Sequence, residues 1–205
     1  MESYKTILKH ASSEYEDRKS VFYGDAAPVS TEAEALEFIE RVKKKYPDAR
    51  HHVYAYVLRE NSIMRFSDDR EPQGTAGMPV LDIIRKHGCT DTVIVVTRYF
   101  GGTLLGTGGL VRAYSSAALS ALESAEIITY AVYRELSLAV NYSDYGKITP
   151  ILDAMGFRTR DTDFSDNVSL LGSIIATSAD PLSEKLVEVT SGRVKIDVLG
   201  QKFEY

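Results

Sequence analysis

The chain has 205 residues, of which 44% are hydrophobic and 26% charged, and its 24 basic and 29 acidic side chains give a net charge of −5. This share of apolar residues excludes a largely disordered chain, and no apolar run approaches the roughly 20 residues that cross a bilayer. A single cysteine excludes an intrachain disulfide and a multi-cysteine metal site, and the first residues lack the pattern of a signal peptide. We therefore expect a cytoplasmic protein without a membrane segment and without a broad basic surface for nucleic acid.

The first part of the chain alternates predicted strands and helices. Thr31 and Glu34 have the spacing of a capping box, and apolar residues then recur at helical spacing up to Pro47. Runs of β-branched and aromatic residues predict strands, and the continuous run at 92–97 is typical of a buried one. The predicted strands are 20–28, 51–58, 63–66 and 92–97, and the predicted helices are 31–47, 79–88 and 110–124.

The second part of the chain follows a different pattern. A strand at 127–140 leads into a helix capped by Ser143, two strands joined by a turn, a helix that opens at Asp180 and a last strand at 194–199. This βαββαβ order is that of a ferredoxin-like domain. We predict an α+β protein of two domains, an N-terminal α/β domain over 1–132 and a ferredoxin-like C-terminal domain over 133–205.

A loop rich in charge and glycine precedes the predicted helix at 79–88. Three carboxylates and two arginines lie between Arg65 and Glu71, and a Gly-Thr-Ala-Gly turn follows them into the helix. Backbone N–H groups at the start of a helix attract anions, and the carboxylates could bind Mg²⁺ through their oxygens. The alternative is an acidic surface loop with an ordinary helix cap. The candidate ligand-binding residues of this loop are Arg65, Asp68, Asp69, Glu71, Gly74, Thr75 and Gly77, of which Asp68, Asp69 and Glu71 are the candidate metal ligands.

A second loop has five glycines within residues 101–109, between a buried strand and a helix. It is neither a Walker A loop nor a G-x-G-x-x-G dinucleotide fingerprint, yet its backbone could approach an anion closely. The alternative is a tight turn without a ligand. We expect this loop to lie beside the acidic loop, so that both helix starts face one groove. Its candidate ligand-binding residues are Arg98, Gly101, Gly102, Thr103, Gly106, Gly108, Gly109, Arg112 and Tyr114.

Four motifs together resemble the YigZ/IMPACT family, and the resemblance extends over nearly the whole chain. They are the segments at 51–56, 66–77, 95–106 and 108–114. The resemblance implies an N-terminal domain with the fold of domain 2 of a small-subunit ribosomal protein, which a superfamily of small-molecule kinases shares. It also implies a C-terminal domain similar to the last domain of elongation factor G. Eukaryotic relatives restrain a translation-control kinase by competing for its activator protein.

Two residues depart from the family pattern. Arg70 stands where a glycine is usual, and Met78 stands where a basic residue usually precedes Pro79. If the turn requires a positive φ at residue 70, arginine is a strained choice there. The loss of a basic residue at 78 weakens an anion site at this helix start.

Three functions are consistent with these observations. The first is a non-catalytic regulator associated with translation, which binds RNA, the ribosome or a translation factor through a groove lined by glycine and arginine. The second is an enzyme or sensor for a small phosphorylated ligand, with Mg²⁺ as its candidate cofactor, and the third is a protein-interaction module. We favour the first, because no residue stands out as a nucleophile, general acid or general base.

Overall fold

The computed structural model describes residues 3–205 and contains two compact units, residues 4–129 and residues 130–205. Each unit has its own buried apolar core. Among the described residues, none of the helices combines the length and the apolar character needed to span a membrane.

The N-terminal unit is built on a five-stranded antiparallel sheet. Its strands lie in the order β2-β3-β6-β4-β5, so the buried strand β6 is central. A further strand, β1, makes a parallel bridge from Lys5 to Cys89. The elements are β1 (Tyr4–Ile7), β2 (Ala11–Asp17), β3 (Ser20–Pro28), α1 (Glu32–Lys45), β4 (His51–Val57), a 3-10 helix (Glu60–Ser62), β5 (Met64–Ser67), α2 (Gly77–Lys86), β6 (Thr92–Tyr99) and α3 (Gly106–Ser124).

Helices cover both faces of this sheet. Ile94 and Val96 of β6 belong to the core that α2 and α3 close, whereas Val93 and Val95 belong to the core under α1. Successive strand residues point to opposite faces, so a strand covered on both sides is apolar at every position. This explains the continuous β-branched run at 92–97.

The C-terminal unit has the predicted βαββαβ order. Its strands lie in the order β10-β7-β9-β8, with every neighbouring pair antiparallel, as in a ferredoxin-like sheet. The α+β prediction is thereby confirmed. The elements are β7 (Ile127–Val140), α4 (Tyr142–Ala154), β8 (Arg158–Phe164), β9 (Val168–Ile175), α5 (Ala176–Val189) and β10 (Lys195–Glu204).

A buried carboxylate stabilises the first turn of α4. Asp144 accepts two hydrogen bonds from the guanidinium of Arg193, at 2.9 and 3.0 Å, and one from Lys147 at 2.7 Å. The hydrogen bonds from Arg193 and Lys147 hold the pKa of Asp144 well below its usual range. The bidentate contact attaches α4 to the segment that precedes β10.

Several boundaries differ from those expected from the sequence. Helix α4 is capped by Asn141, whose side chain accepts from the Asp144 N–H at 3.1 Å, and not by Ser143. Helix α5 begins at Ala176 and not at Asp180, and α3 begins at Gly106 and not at residue 110. Strands β1 and β2 were not predicted, because both sequences are rich in polar residues; β2 forms through its antiparallel pairing with β3.

Candidate functional site

Asp68 caps the start of helix α2 from within the chain. Its Oδ1 accepts hydrogen bonds from the N–H groups of Ala76 (3.1 Å) and Gly77 (2.7 Å), and its Oδ2 accepts one from Gly74 (2.8 Å). From the sequence, these N–H groups were expected to bind an external anion. The carboxylate of Asp68 therefore takes the position expected of a bound anion at this helix start.

We expect Asp68→Ala to lower the free energy of unfolding by about 2 kcal/mol, because three N–H groups lose their common acceptor. Urea denaturation measures this change. The matched control is Asp82→Ala on helix α2, where the carboxylate is 60% exposed and pairs with Arg85. Equal unfolding midpoints for the two variants would show that the cap contributes nothing.

A buried ion pair joins the acidic loop to strand β6 and helix α3. Arg98 Nη1 lies 2.7 Å from Glu71 Oε1, and the hydroxyl of Tyr114 donates to the same oxygen at 2.8 Å. The side chains of Arg98 and Glu71 are only 8% and 4% exposed. Burial, followed by the charge of Glu71, raises the pKa of Tyr114 well above its usual range, so its hydroxyl keeps its proton and donates.

The turn after Asp68 has two consecutive residues with positive φ. Asp69 has φ +39° and Arg70 has φ +70°, so the arginine occupies a conformation that favours glycine. Two contacts stabilise the turn: Asp69 Oδ2 accepts from the His52 N–H at 2.6 Å, and Arg70 Nη2 donates to the Arg50 carbonyl oxygen at 2.9 Å. The expectation of a strained Arg70 therefore agrees with its backbone geometry.

The two adjacent histidines on β4 have different surroundings. His51 Nδ1 lies 2.9 Å from the Asp69 carbonyl oxygen, which can only accept, so Nδ1 carries a proton. His52 is buried, with Nδ1 at 3.1 Å from Thr97 Oγ1, and burial lowers the pKa of its ring. His52 therefore belongs to the interior, whereas His51 is partly exposed.

The glycine-rich segment is part loop and part helix. Gly101 packs so closely on the β2–β3 turn that an added Cβ would lie 2.0 Å from the Lys19 carbonyl carbon. Gly102 and Gly106 have φ of +82° and +71°. The last glycines, Gly106, Gly108 and Gly109, lie in the first turn of α3, so the prediction of a loop over 101–109 was wrong beyond residue 105.

The structure brings some of the candidate residues together and leaves others apart. Glu71, Arg98 and Tyr114 form one buried cluster, and Asp68 joins the glycines at the start of α2. Arg65 is exposed on β5 at 3.9 Å from Glu32 Oε1, and the hydroxyl of Thr75 donates to the Pro72 carbonyl oxygen. The remaining exposed candidates are Gly102, Thr103, Gly106, Gly108 and Arg112.

The three candidate metal ligands have separate partners. Asp68 accepts from backbone N–H groups, Asp69 from the His52 N–H, and Glu71 from Arg98 and Tyr114. Within residues 3–205, no group of three or more histidine, cysteine, aspartate or glutamate side chains is arranged to hold a metal ion. A cation at this loop would have to compete with the existing hydrogen bonds.

An open cleft of about 480 Å³ lies at the end of β6, where the glycine-rich segment begins. Strands β4 and β6 pair so that His51 lies opposite Arg98, which brings the residues before β4 beside those after β6. The cleft is lined by Asp48, Arg50, His51, Arg98, Tyr99, Phe100 and Leu104.

Sequence reasoning found Arg98 but missed the other lining residues. Phe100 is 56% exposed and Leu104 is 82% exposed, and large apolar side chains within a glycine-rich loop were the available signal. Arg50 gave no such signal, because it reaches the cleft only through the pairing of β4 with β6.

The sequence was compared with known proteins and structures. Residues 18–122 match the Impact N-terminal domain, and residues 138–193 match a domain of unknown function (DUF1949). The chain is 36% identical over 197 residues to the IMPACT family member YvyE of Bacillus subtilis, which covers 96% of this chain and 91% of that protein. This chain belongs to the IMPACT family.

Other IMPACT family proteins extend the comparison. The family member YigZ of Escherichia coli is 33% identical over 184 residues, covering 88% of this chain and 90% of that protein. Protein IMPACT of Xenopus laevis is 32% identical over 94 residues, 44% of this chain and 30% of its own length. A crystal structure described as that of a hypothetical protein superposes with a TM-score of 0.60 at 32% identity, covering 98% of both chains. The resemblance inferred from the motifs is thus confirmed.

Proposed function

We propose that this IMPACT family member is a non-catalytic, cytoplasmic regulator associated with translation that binds RNA, including RNA of the ribosome, through the cleft at the end of β6. The observation that carries the proposal is the lining of the cleft, where Arg50 and Arg98 lie beside the glycine-rich segment. Arginine side chains contact the phosphates of nucleic acid in this way.

Two exposed arginines support a localised contact, namely Arg50 in the lining of the cleft and Arg112 in helix α3, which follows the loop part of the glycine-rich segment. Among residues 3–205, neither Arg50 nor Arg112 forms an ion pair, and both side chains are exposed. The net charge of −5 opposes broad binding, so affinity is expected to come from few phosphate contacts and to be modest. Family membership supports the translational setting, since the resemblance implies relatives that act on translation control.

The experiment is a titration of a fluorescein-labelled single-stranded RNA of about 12 nucleotides, followed by anisotropy at salt concentrations between about 50 and 200 mM. Arg50→Ala and Arg112→Ala are each expected to weaken binding about tenfold and to reduce the salt slope by about one. Binding is expected to persist in EDTA, because the carboxylates of the acidic loop already accept hydrogen bonds from the protein.

The control is Arg160→Ala, which removes one exposed positive charge from strand β8 of the other unit. Arg98 is unsuitable as the test residue, because its removal would leave Glu71 buried without a cation. If Arg50→Ala and Arg112→Ala both bind RNA as tightly as Arg160→Ala, the proposal fails and a protein-interaction module takes its place.

A further inference from the structure

The cleft combines an exposed aromatic ring with cationic groups. Phe100 is 56% exposed, and the guanidinium carbon of Arg98 lies 5.7 Å from the centre of its ring. Leu104, which is 82% exposed, adds a second apolar surface to the lining. Exposed apolar side chains that cluster in a cleft indicate a binding surface for a flat or apolar group.

Arg98 forms part of the cleft lining and has an unused donor. One of its terminal nitrogens is bonded to Glu71, but within the described part of the chain its buried Nε has no hydrogen-bond partner. Buried polar groups are rarely left without a partner, so the side chain of Arg98, which lines the cleft, retains hydrogen-bonding capacity that the described part of the chain does not use. Arg50 provides a second positive charge in the lining of the same cleft, and the negative charge of Asp48 partly offsets the two arginines.

The dimensions of the cleft suit one small occupant. Its volume of about 480 Å³ is within the range of roughly 300–1,000 Å³ that small-ligand pockets occupy. The flat ring of Phe100 can stack on a nucleobase, and the neighbouring guanidinium groups of Arg50 and Arg98 can bind its phosphate. Bases inside an A-form duplex are stacked on one another, so only an unpaired base can place its face on Phe100.

We propose that the cleft binds one unpaired nucleotide, with the base stacked on Phe100 and the phosphate held by Arg50 and Arg98. This inference rests on the proposed RNA-binding function and adds to it a preference for single strands. The same chemistry is offered by a nucleotide within an RNA strand and by a free mononucleotide.

The chain contains no tryptophan, so Phe100→Trp introduces a single fluorescent reporter at the proposed stacking position. Its emission is expected to fall to a plateau when an oligouridylate of about 12 nucleotides is added, with the same midpoint as the anisotropy titration. Phe164→Trp is the matched control, since Phe164 is 57% exposed and lies in the other unit, and its emission should stay constant.

Phe100→Ala and Phe100→Leu are expected to weaken binding of the oligouridylate about tenfold, because both remove the aromatic face. Neither change should alter the melting temperature, as the ring is exposed. The duplex of the same oligomer with oligoadenylate is expected to bind the wild type at least about tenfold more weakly than the single strand.

Free uridine monophosphate separates the two sources of the nucleotide. Saturable quenching of Phe100→Trp by the monophosphate at the concentration that the oligomer requires would support the cleft as a site for a free nucleotide. A different result would overturn the nucleotide pocket and leave RNA binding in place: Phe100→Ala binds the oligomer as tightly as the wild type does, and the wild type binds the duplex as tightly as the single strand. If the wild type binds neither oligomer nor monophosphate, both proposals fail.

Discussion

Glu71→Gln is expected to lower the free energy of unfolding of the N-terminal unit by about 3 kcal/mol, since it removes the charge that balances buried Arg98. The glutamine amide retains an oxygen for the hydroxyl of Tyr114, so the loss comes mainly from the unpaired guanidinium. Urea denaturation followed by circular dichroism measures the change. The control is Glu37→Gln, at an exposed position of helix α1, which should stay within about 0.5 kcal/mol of the wild type.

A double variant identifies the source of this loss. Arg98→Met combined with Glu71→Gln removes both charges, and it is expected to be more stable than the sum of the two single changes implies. Additive losses would show that the pair is not coupled. A Glu71→Gln protein as stable as Glu37→Gln would contradict the importance of the pair itself.

Gly101→Ala is expected to destabilise the N-terminal unit by about 2–3 kcal/mol and to displace the start of the glycine-rich segment. The added Cβ would lie 2.0 Å from the Lys19 carbonyl carbon and 2.3 Å from the Ser20 nitrogen. Both are backbone atoms, which cannot relieve the clash by a change of rotamer as a side chain can. Because Phe100 precedes this glycine, RNA affinity should fall in parallel with stability.

The same substitution at Gly108 provides the control for this variant. A Cβ at Gly108 has no neighbour within 4 Å, and the residue lies in helix α3. Alanine is favoured over glycine within helices by up to about 1 kcal/mol, so Gly108→Ala should leave stability unchanged or raise it. Equal effects at both positions would mean that the close approach at Gly101 does not restrict the residue type.

Caps and apolar periodicity predicted those helices and strands that are determined by residues close together in the sequence. One half of the capping box of α1 forms as expected, with Thr31 Oγ1 accepting from the Glu34 N–H at 3.2 Å, whereas Glu34 Oε2 accepts from the Ser30 N–H at 2.7 Å instead of from Thr31. The start of α3 was missed because four residues at 106–109 include three glycines, which disfavour a helix. The helix forms there because Leu110 and Tyr114 pack into the core and fix its first turns.

The sequence predicted only those parts of the candidate site that lie within a recognisable motif. The acidic loop and Arg98 were both identified, and Glu71 meets Arg98 as the expected proximity of the two segments requires. The cleft itself depends on the register that places His51 opposite Arg98, which no local pattern specifies. Anion binding at the start of α2 was expected for a ligand, yet Asp68 of the same chain provides it.

The cap formed by Asp68 has a consequence for motion. One carboxylate accepts hydrogen bonds from the N–H groups of Gly74, Ala76 and Gly77. If this carboxylate moves away, all three hydrogen bonds break together. The acidic loop and the first turn of α2 consequently open as one cooperative unit instead of fraying residue by residue. Glu71 follows Asp68 by three residues, so such an opening would also strain the buried pair with Arg98. Rearrangement of the acidic loop is thereby confined to rare, concerted events.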